Sequence, residues 1–184
     1  MVVWTIATKN YNDIELSSGT GSKERGSWIK WSKTHPMLAI GTEKGSIYFF
    51  DKKTQRRIPN LGKHGKKVIS GDWNDKGYLI TSAEDKLVTV SDHTGKTLQS
   101  IQLPGKSALR DLAWTNIKED GQTLPRVTAV AHAKSVCFVD VEEQKNIEVE
   151  FQSSYGKIVD YQWYEDKFIL VAFSNGYISG VRSN

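Results

Sequence analysis

The chain has 184 residues, which is enough for one domain and marginal for two. Hydrophobic residues make up 38% of it, and 25 Lys and Arg residues against 21 Asp and Glu residues give a formal net charge of +4. This composition is ordinary for a soluble protein, the charge excess does not imply nucleic acid by itself, and no apolar run approaches the ~20 residues of a membrane-spanning helix.

The N-terminal stretch MVVWTIATKN lacks the charged and apolar regions of a signal peptide, so none is expected. Together with DIELSS it predicts the third and fourth strands of a four-stranded unit. The polar, glycine-rich stretch 19–27 predicts a flexible loop. Further along, the single Cys137 cannot form an internal disulfide, and its apolar setting SVCFVD predicts a small buried side chain in a reducing compartment.

Four fourteen-residue segments align without gaps, and each predicts a β-hairpin. Each begins with a short apolar run, continues through a small or polar turn, and ends in a second, alternating apolar run. Gly45 and Gly176 occupy turn positions that tolerate positive φ. The four segments are Leu38–Asp51, Leu79–Asp92, Val127–Asp140 and Ile169–Arg182.

A shorter strand that ends in tryptophan precedes each hairpin. The spacings between these tryptophans are 42, 41 and 49 residues. Equivalent positions in stacked sheets pack between the sheets, so we expect all four side chains in the core. They are Trp31, Trp73, Trp114 and Trp163. The long third spacing contains TNIKEDGQTLP, which predicts an elongated loop after Trp114.

Most hairpins are followed by one more short strand, so the repeat is four strands in about 40–50 residues. That is the period of a β-propeller blade, and no helix has a convincing pattern. We therefore expect an all-β, incomplete β-propeller as a single domain over 1–184. Its full blades are predicted at about 27–62, 67–103 and 108–151, and its partial blades at 1–17 and 157–182.

Partial blades expose unpaired strand edges, which recruit further strands. We expect a fragment of a larger propeller. Its N-terminal strands either pair with its C-terminal blade to close a smaller ring, or two copies associate through their open edges.

The hairpins are similar to those of the WD-repeat family, in which a turn aspartate bonds to a histidine and a serine. Only Asp85 matches the turn aspartate, and His64 lies in the interblade slot where the family has its histidine. The resemblance implies that His64 orders the interblade turn through hydrogen bonds. The network can be complete in at most one blade, and there Ser91 replaces the family's tryptophan.

Residues 31–92 and 150–178 resemble the N-terminal propeller of the family of WD repeat-containing protein nineteen, a subunit of intraflagellar transport complex A. The ordered motifs WSK, LGKH, EDK and EFQ carry the resemblance. It implies a non-enzymatic scaffold in the cilium or flagellum, basal body and cytoplasm, supporting retrograde ciliary transport and cargo entry. The implied partners are other subunits of the complex and ciliary membrane cargo adaptors.

The residues themselves favour no chemistry. GKHGKK has two residues between its glycines where a phosphate-binding loop has four, and a strand follows it. No histidine has a second His or Cys at metal-ligand spacing, and the paired charges lie in predicted turns. We expect no catalysis, cofactor, metal or small-molecule substrate.

Charge is distributed unevenly along the chain. Seven basic residues and no acid lie between Lys52 and Gly71, whereas Asp140–Glu150 holds five acids and one lysine. Outer strands that are simply solvated would explain this. The alternative is a docking rim for an acidic partner, or a basic module that binds phosphoinositide, anionic lipid or nucleic acid through Lys52–Lys67. Nucleic acid is not expected, because the interleaved aromatics are at core-facing positions. The candidate docking residues are Arg56, Arg57, Lys63, Lys66 and Lys67.

Overall fold

The structure is a computed structural model that describes residues 1–5, 7–17, 21–60, 63–103, 109–119, 122–131, 134–140, 145–164 and 168–182. The chain divides into two compact units, Met1–Ser100 and Ile101–Asn184.

The first unit is built from one two-stranded and two four-stranded antiparallel sheets. The last strand of the second four-stranded sheet, Thr97–Gln102, extends two residues past the end of the unit at Ser100. Within each sheet the strands pair in chain order, so every strand neighbours the one before it. The strands are β1 (Val2–Thr5), β2 (Asn10–Asp13), β3 (Gly26–Trp31), β4 (Met37–Thr42), β5 (Ile47–Asp51), β6 (Arg56–Asn60), β7 (Val68–Trp73), β8 (Leu79–Ala83), β9 (Leu87–Ser91) and β10 (Thr97–Gln102).

The second unit contains a four-stranded and a three-stranded antiparallel sheet, again paired in chain order. A single 3-10 turn, Ser153–Tyr155, separates them. The strands are β11 (Leu109–Glu119), β12 (Gln122–Ala131), β13 (Ser135–Asp140), β14 (Lys145–Glu150), β15 (Ile158–Tyr164), β16 (Phe168–Phe173) and β17 (Ile178–Arg182).

Five sheets of two, four, four, four and three strands confirm the prediction of an all-β chain with three full and two partial blades. The described residues contain no α-helix. Accordingly, none of them forms a helical segment of the length and apolarity needed to cross a bilayer.

The core of the first unit lies on both faces of the central strands. Every residue of β4 and of β8 is buried. Successive side chains of a strand point to opposite faces, so Ala39 joins a cluster with Trp73 of the next sheet, while Leu38 joins one with Ile14 and Leu16 of the N-terminal segment. Strands that are buried on both faces do not need to alternate apolar and polar residues. This explains why the first strand of each hairpin in this unit, β4 or β8, shows no such alternation.

The segment after Trp114 differs from its prediction as a loop. β11 and β12 continue as a paired hairpin as far as Glu119 and Gln122. β13 pairs with β12 only over Arg126–Ala129, so Pro125 lies where β12 has a partner on one side alone. A proline is tolerated at such a position because no ladder hydrogen bond is needed from it there, and the insertion therefore extends two strands.

In the second unit the apolar cluster is built around Ile169, Val171 and Phe173 of β16, with Val136 of β13. Cys137 is also buried, as the sequence predicts. Burial, with a smaller contribution from the carboxylate of Glu148, raises the pKa of its thiol to about 12. The thiol is therefore protonated and unreactive at neutral pH.

Candidate functional site

A chain of buried polar side chains joins the segment before β7 to the middle of its sheet. His64 is 5% exposed as a residue, and its Nε2 lies 3.0 Å from Oγ1 of Thr81 and 3.4 Å from Oγ1 of Thr89. The two threonine hydroxyls are 2.9 Å apart, since Thr81 and Thr89 face each other across β8 and β9. Nε2 of His64 and both threonine hydroxyls therefore have protein partners in place of water, whereas Nδ1 of His64 is buried without a hydrogen bond.

Asp85 connects the β8–β9 turn to the same segment. One carboxylate oxygen, Oδ2, accepts a 2.7 Å hydrogen bond from the backbone N–H of Gly65. The other, Oδ1, accepts one from Leu87 at 3.0 Å and lies 3.4 Å from Nδ1 of His64. A single carboxylate therefore holds the turn, the interblade segment and one side of the imidazole.

The environment of His64 keeps its side chain neutral. Burial lowers the pKa of His64 below its ordinary value of 6.5, and the nearby Asp85 carboxylate opposes this shift without overcoming it. A neutral imidazole, closed off from solvent, has no access to a substrate. Its chemistry here is that of a structural tie between chain segments and not that of a general acid or base.

Gly45 allows the interblade segment to lie against the preceding sheet. The N–H of His64 donates to the carbonyl of Gly45 at 3.2 Å. Gly45 has φ +89°, and a Cβ at this position would lie 2.2 Å from the carbonyl oxygen of His64. Gly176 occupies the equivalent turn with φ +84° and open space around it. Both glycines have the positive φ that the sequence indicates.

The hydroxyl of Thr89 on β9 takes part in the network around His64. In the sequence Ser91 occupies the slot of the family's tryptophan, and Thr89, two residues earlier on β9, is the residue of that strand within reach of His64. Thr81 and Thr89 were not singled out from the sequence. The signal that could have found them is a hydroxyl in the middle of two strands that are otherwise expected to be buried on both faces, where each must have a partner.

The five candidate docking residues do not form one surface. Arg57 donates to the carbonyl of Glu15 and lies 5.2 Å from the ring centroid of Tyr48. Lys63 donates to the carbonyl of Gly95 at 2.8 Å and contacts Thr97, and burial lowers the pKa of its ammonium group. These two cations are engaged within the chain.

The remaining three, Arg56, Lys66 and Lys67, are exposed. Arg56 lies in β6, whereas Lys66 and Lys67 lie beside the β4–β5 and β8–β9 turns, through contacts of their carbonyls with Gly45 and Glu84. Only the pair Lys66 and Lys67 keeps the character of a basic patch.

The tryptophans of the repeat do not share one environment. Trp73 is 6% exposed, packs edge-on against Phe49 at 5.8 Å, and donates through Nε1 to the carbonyl of Lys30 at 3.1 Å. Trp31, expected in the core, is 41% exposed. The reason is its neighbour: Trp73 leans on β3 and β5 of the preceding sheet, whereas the sheet preceding Trp31 contains β1 and β2 alone. For Trp114 and Trp163 only the backbone is described, in β11 and β15.

Among the described residues, no three His, Cys, Asp or Glu side chains converge as a metal site would require. His35 and His93 do meet, with stacked rings 5.1 Å apart. His132 lies outside the part of the chain that the structure describes.

Comparison with known proteins identifies the repeat. The sequence model of the WDR19 first beta-propeller matches residues 1–184. WD repeat-containing protein 19 of Mus musculus is 35% identical over 95% of this chain, and that of Homo sapiens is 32% identical over 95%. This chain spans only 13% of the length of each of these relatives.

Among solved structures, the Cps50 (Swd1) beta-propeller domain of Myceliophteria thermophila superimposes with a TM-score of 0.69 over 88% of this chain and 53% of its own. At 14% sequence identity this similarity concerns the fold alone. The family match extends over the whole chain, so the protein belongs to the WDR19 first beta-propeller family, with the sheets described above as its blades.

Proposed function

We propose that the chain is a non-enzymatic interaction scaffold, a propeller portion of a subunit of intraflagellar transport complex A. In this role it supports retrograde ciliary transport and the entry of cargo into the cilium. Its partners are other subunits of the complex and ciliary membrane cargo adaptors, and it acts in the cilium or flagellum, the basal body and the cytoplasm.

The observation that carries this proposal is the family match over residues 1–184. The candidate site is consistent with it, because the polar network around His64 is closed off from solvent and holds chain segments together. Propeller blades display their loops and outer strands for binding, and the fold itself supplies no reaction.

Co-precipitation of the tagged parent protein from ciliated cells tests the proposal. The expected result is recovery of the other complex subunits together with the tagged protein. A matched control carries Gly45→Ala, which strikes the carbonyl of His64 and should disturb this propeller selectively. Recovery of no transport-complex subunit by the unmodified protein would overturn the proposal.

The exposed pair Lys66 and Lys67 supports a second candidate function, direct binding of phosphoinositide or another anionic lipid. Two lysines near a membrane surface contribute on the order of 1 kcal/mol each, so this binding would be weak and salt-dependent. Cosedimentation with vesicles containing phosphatidylinositol bisphosphate should then be lost in Lys66→Glu/Lys67→Glu. Unchanged sedimentation of that variant would exclude a role for the pair.

A further inference from the structure

A basic recess lies at one end of the strands of the sheet β3–β6, and His64 lies at the opposite end. Because these antiparallel strands pair in chain order, the β3–β4 and β5–β6 turns lie at the same end of the sheet and the β4–β5 turn lies at the other. The cavity between the two turns measures about 620 Å³. Its walls are Trp31, the turn 32–36, and Lys52 and Lys53.

The recess concentrates positive charge. Lys33, Lys52 and Lys53 line it, and no carboxylate does. Within the described residues none of these three ammonium groups has an ion-pair partner. Asp51, the residue before Lys52, has its carboxylate occupied by the N–H of Lys53 at 2.8 Å and the hydroxyl of Thr54 at 3.0 Å, and these hydrogen bonds, with a contribution from the charge of Lys53, lower the pKa of that carboxyl. Three unpaired cations on a concave surface produce a local potential that attracts an anionic group.

Trp31 gives the recess an apolar wall. Its counterpart Trp73 is buried, but Trp31 keeps 41% of its surface exposed and lines the cavity. Exposed tryptophan beside cations is the composition of a protein-binding hot spot, where a large rigid ring contributes contact area at low entropic cost.

The walls are preformed. The hydroxyl of Ser32 accepts hydrogen bonds from the backbone N–H of His35 at 3.1 Å and of Thr34 at 3.4 Å, which fixes the turn. The ring of His35 stacks on His93, from the β9–β10 turn of the next sheet. A ligand entering the recess would therefore pay little to order it.

We propose that this recess binds an acidic peptide segment of a partner protein, with carboxylates against Lys33, Lys52 and Lys53 and an apolar side chain against Trp31. The inference rests on the proposed function insofar as the partner is a protein. A concave wall with an exposed indole suits an inserted side chain better than a flat membrane surface.

The full chain is to be titrated, by fluorescence anisotropy, into a labelled peptide with the sequence of residues 140–150, which has five acids and one lysine among apolar residues. Lys52→Glu/Lys53→Glu should weaken binding by about tenfold or more, and Trp31→Ala by a similar factor. The matched control, Lys66→Glu/Lys67→Glu, makes the same charge change at the opposite end of the strands. Its affinity for the peptide should stay within about twofold of that of the unmodified chain. Binding should also weaken as salt rises.

Four results would overturn the proposal: no binding by the unmodified chain, equal weakening by the control pair, equal affinity for a peptide with amides in place of the acids, or recess-dependent binding to phosphatidylinositol bisphosphate vesicles that the peptide does not displace. Circular dichroism and thermal unfolding verify the fold of each variant. If Trp31→Ala does not fold, the outcome is decided by Lys52→Glu/Lys53→Glu, whose two residues lie on an exposed turn. Peptide binding in a protein that recovers no transport-complex subunit from cells would sink the proposed function alone.

Discussion

At the scale of single residues, His64 makes the stability of the first unit depend on pH. Its pKa in the folded chain lies below the value of 6.5 that it regains on unfolding, because the folded chain buries the imidazole. The unfolded chain therefore binds more protons as pH falls through about 6.5, and stability is lost from there down to the folded pKa. One such group gives a slope of at most about 1.4 kcal/mol per pH unit.

Urea unfolding at a series of pH values between about 7.5 and 5.5 measures this slope. His64→Gln keeps a side-chain amide beside Thr81 but cannot titrate, so it should lower stability overall and flatten the slope in this window. The same slope in both proteins would mean that another group causes the pH dependence.

The turn glycines provide a second prediction at this scale. Gly45 and Gly176 share nearly the same positive φ, but only at Gly45 would a Cβ strike backbone, the carbonyl of His64. Gly45→Ala should therefore lower the free energy of unfolding by at least about 2 kcal/mol, and Gly176→Ala by about 1 kcal/mol from backbone strain alone. Equal effects in chemical denaturation would show that φ strain dominates and that the close approach relaxes.

At the scale of strands, equivalent tryptophans should contribute unequally to stability. Trp73 is buried against Phe49 and bonded to the carbonyl of Lys30, so Trp73→Ala should cost about 3–5 kcal/mol. Trp31 ends the matching strand but is 41% exposed, so Trp31→Ala should cost less than about 1 kcal/mol. Thermal unfolding of the two variants gives the comparison, and a similar loss in both would indicate that Trp31 is covered in solution.

The repeat predicts the strands well because each hairpin carries its own signal, an apolar run, a turn and an alternating run. What it does not predict is the surroundings of a strand. Trp31 and Trp73 occupy the same repeat position, but the sheet that covers each of them is different. Burial depends on neighbours that are distant in sequence, and the same limit led the long β11–β12 hairpin to be interpreted as a loop.

The basic residues show this limit for the candidate site. The basic run from Lys52 to Gly71 predicts a positively charged surface patch only if its side chains make no contacts within the chain. Arg57 and Lys63 instead meet carbonyls in the N-terminal segment and in the β9–β10 turn, which the linear sequence does not connect to them. Conversely, Trp31 and Lys33 lie outside the basic run. They line the recess with Lys52 and Lys53 because the β3–β4 and β5–β6 turns lie at the same end of the sheet.

At the scale of the whole molecule, the three-stranded sheet exposes several large apolar side chains. β4 is buried on both faces, whereas in β16 the buried Ile169 and Val171 alternate with Phe168 and Leu170, which are 37% and 41% exposed. Leu170 faces Gly180 across the ladder, and Ile178, two residues away on the same face, is 74% exposed. Within the described residues β17 also has no strand on its far side.

An apolar sheet face beside an open edge favours self-association. We therefore expect the isolated 184-residue chain to form concentration-dependent oligomers in light scattering, and Leu170→Glu/Ile178→Glu to shift it towards monomer. Ile147→Glu is the matched control, because Ile147 is 65% exposed on β14 of the other sheet of this unit. A monomer at all concentrations, or an equal shift in the control, would contradict the prediction. A charged residue on this face should prevent another sheet from packing on it. If only Leu170→Glu/Ile178→Glu dissociates the oligomer, the contact therefore lies on the face that β16 and β17 form together.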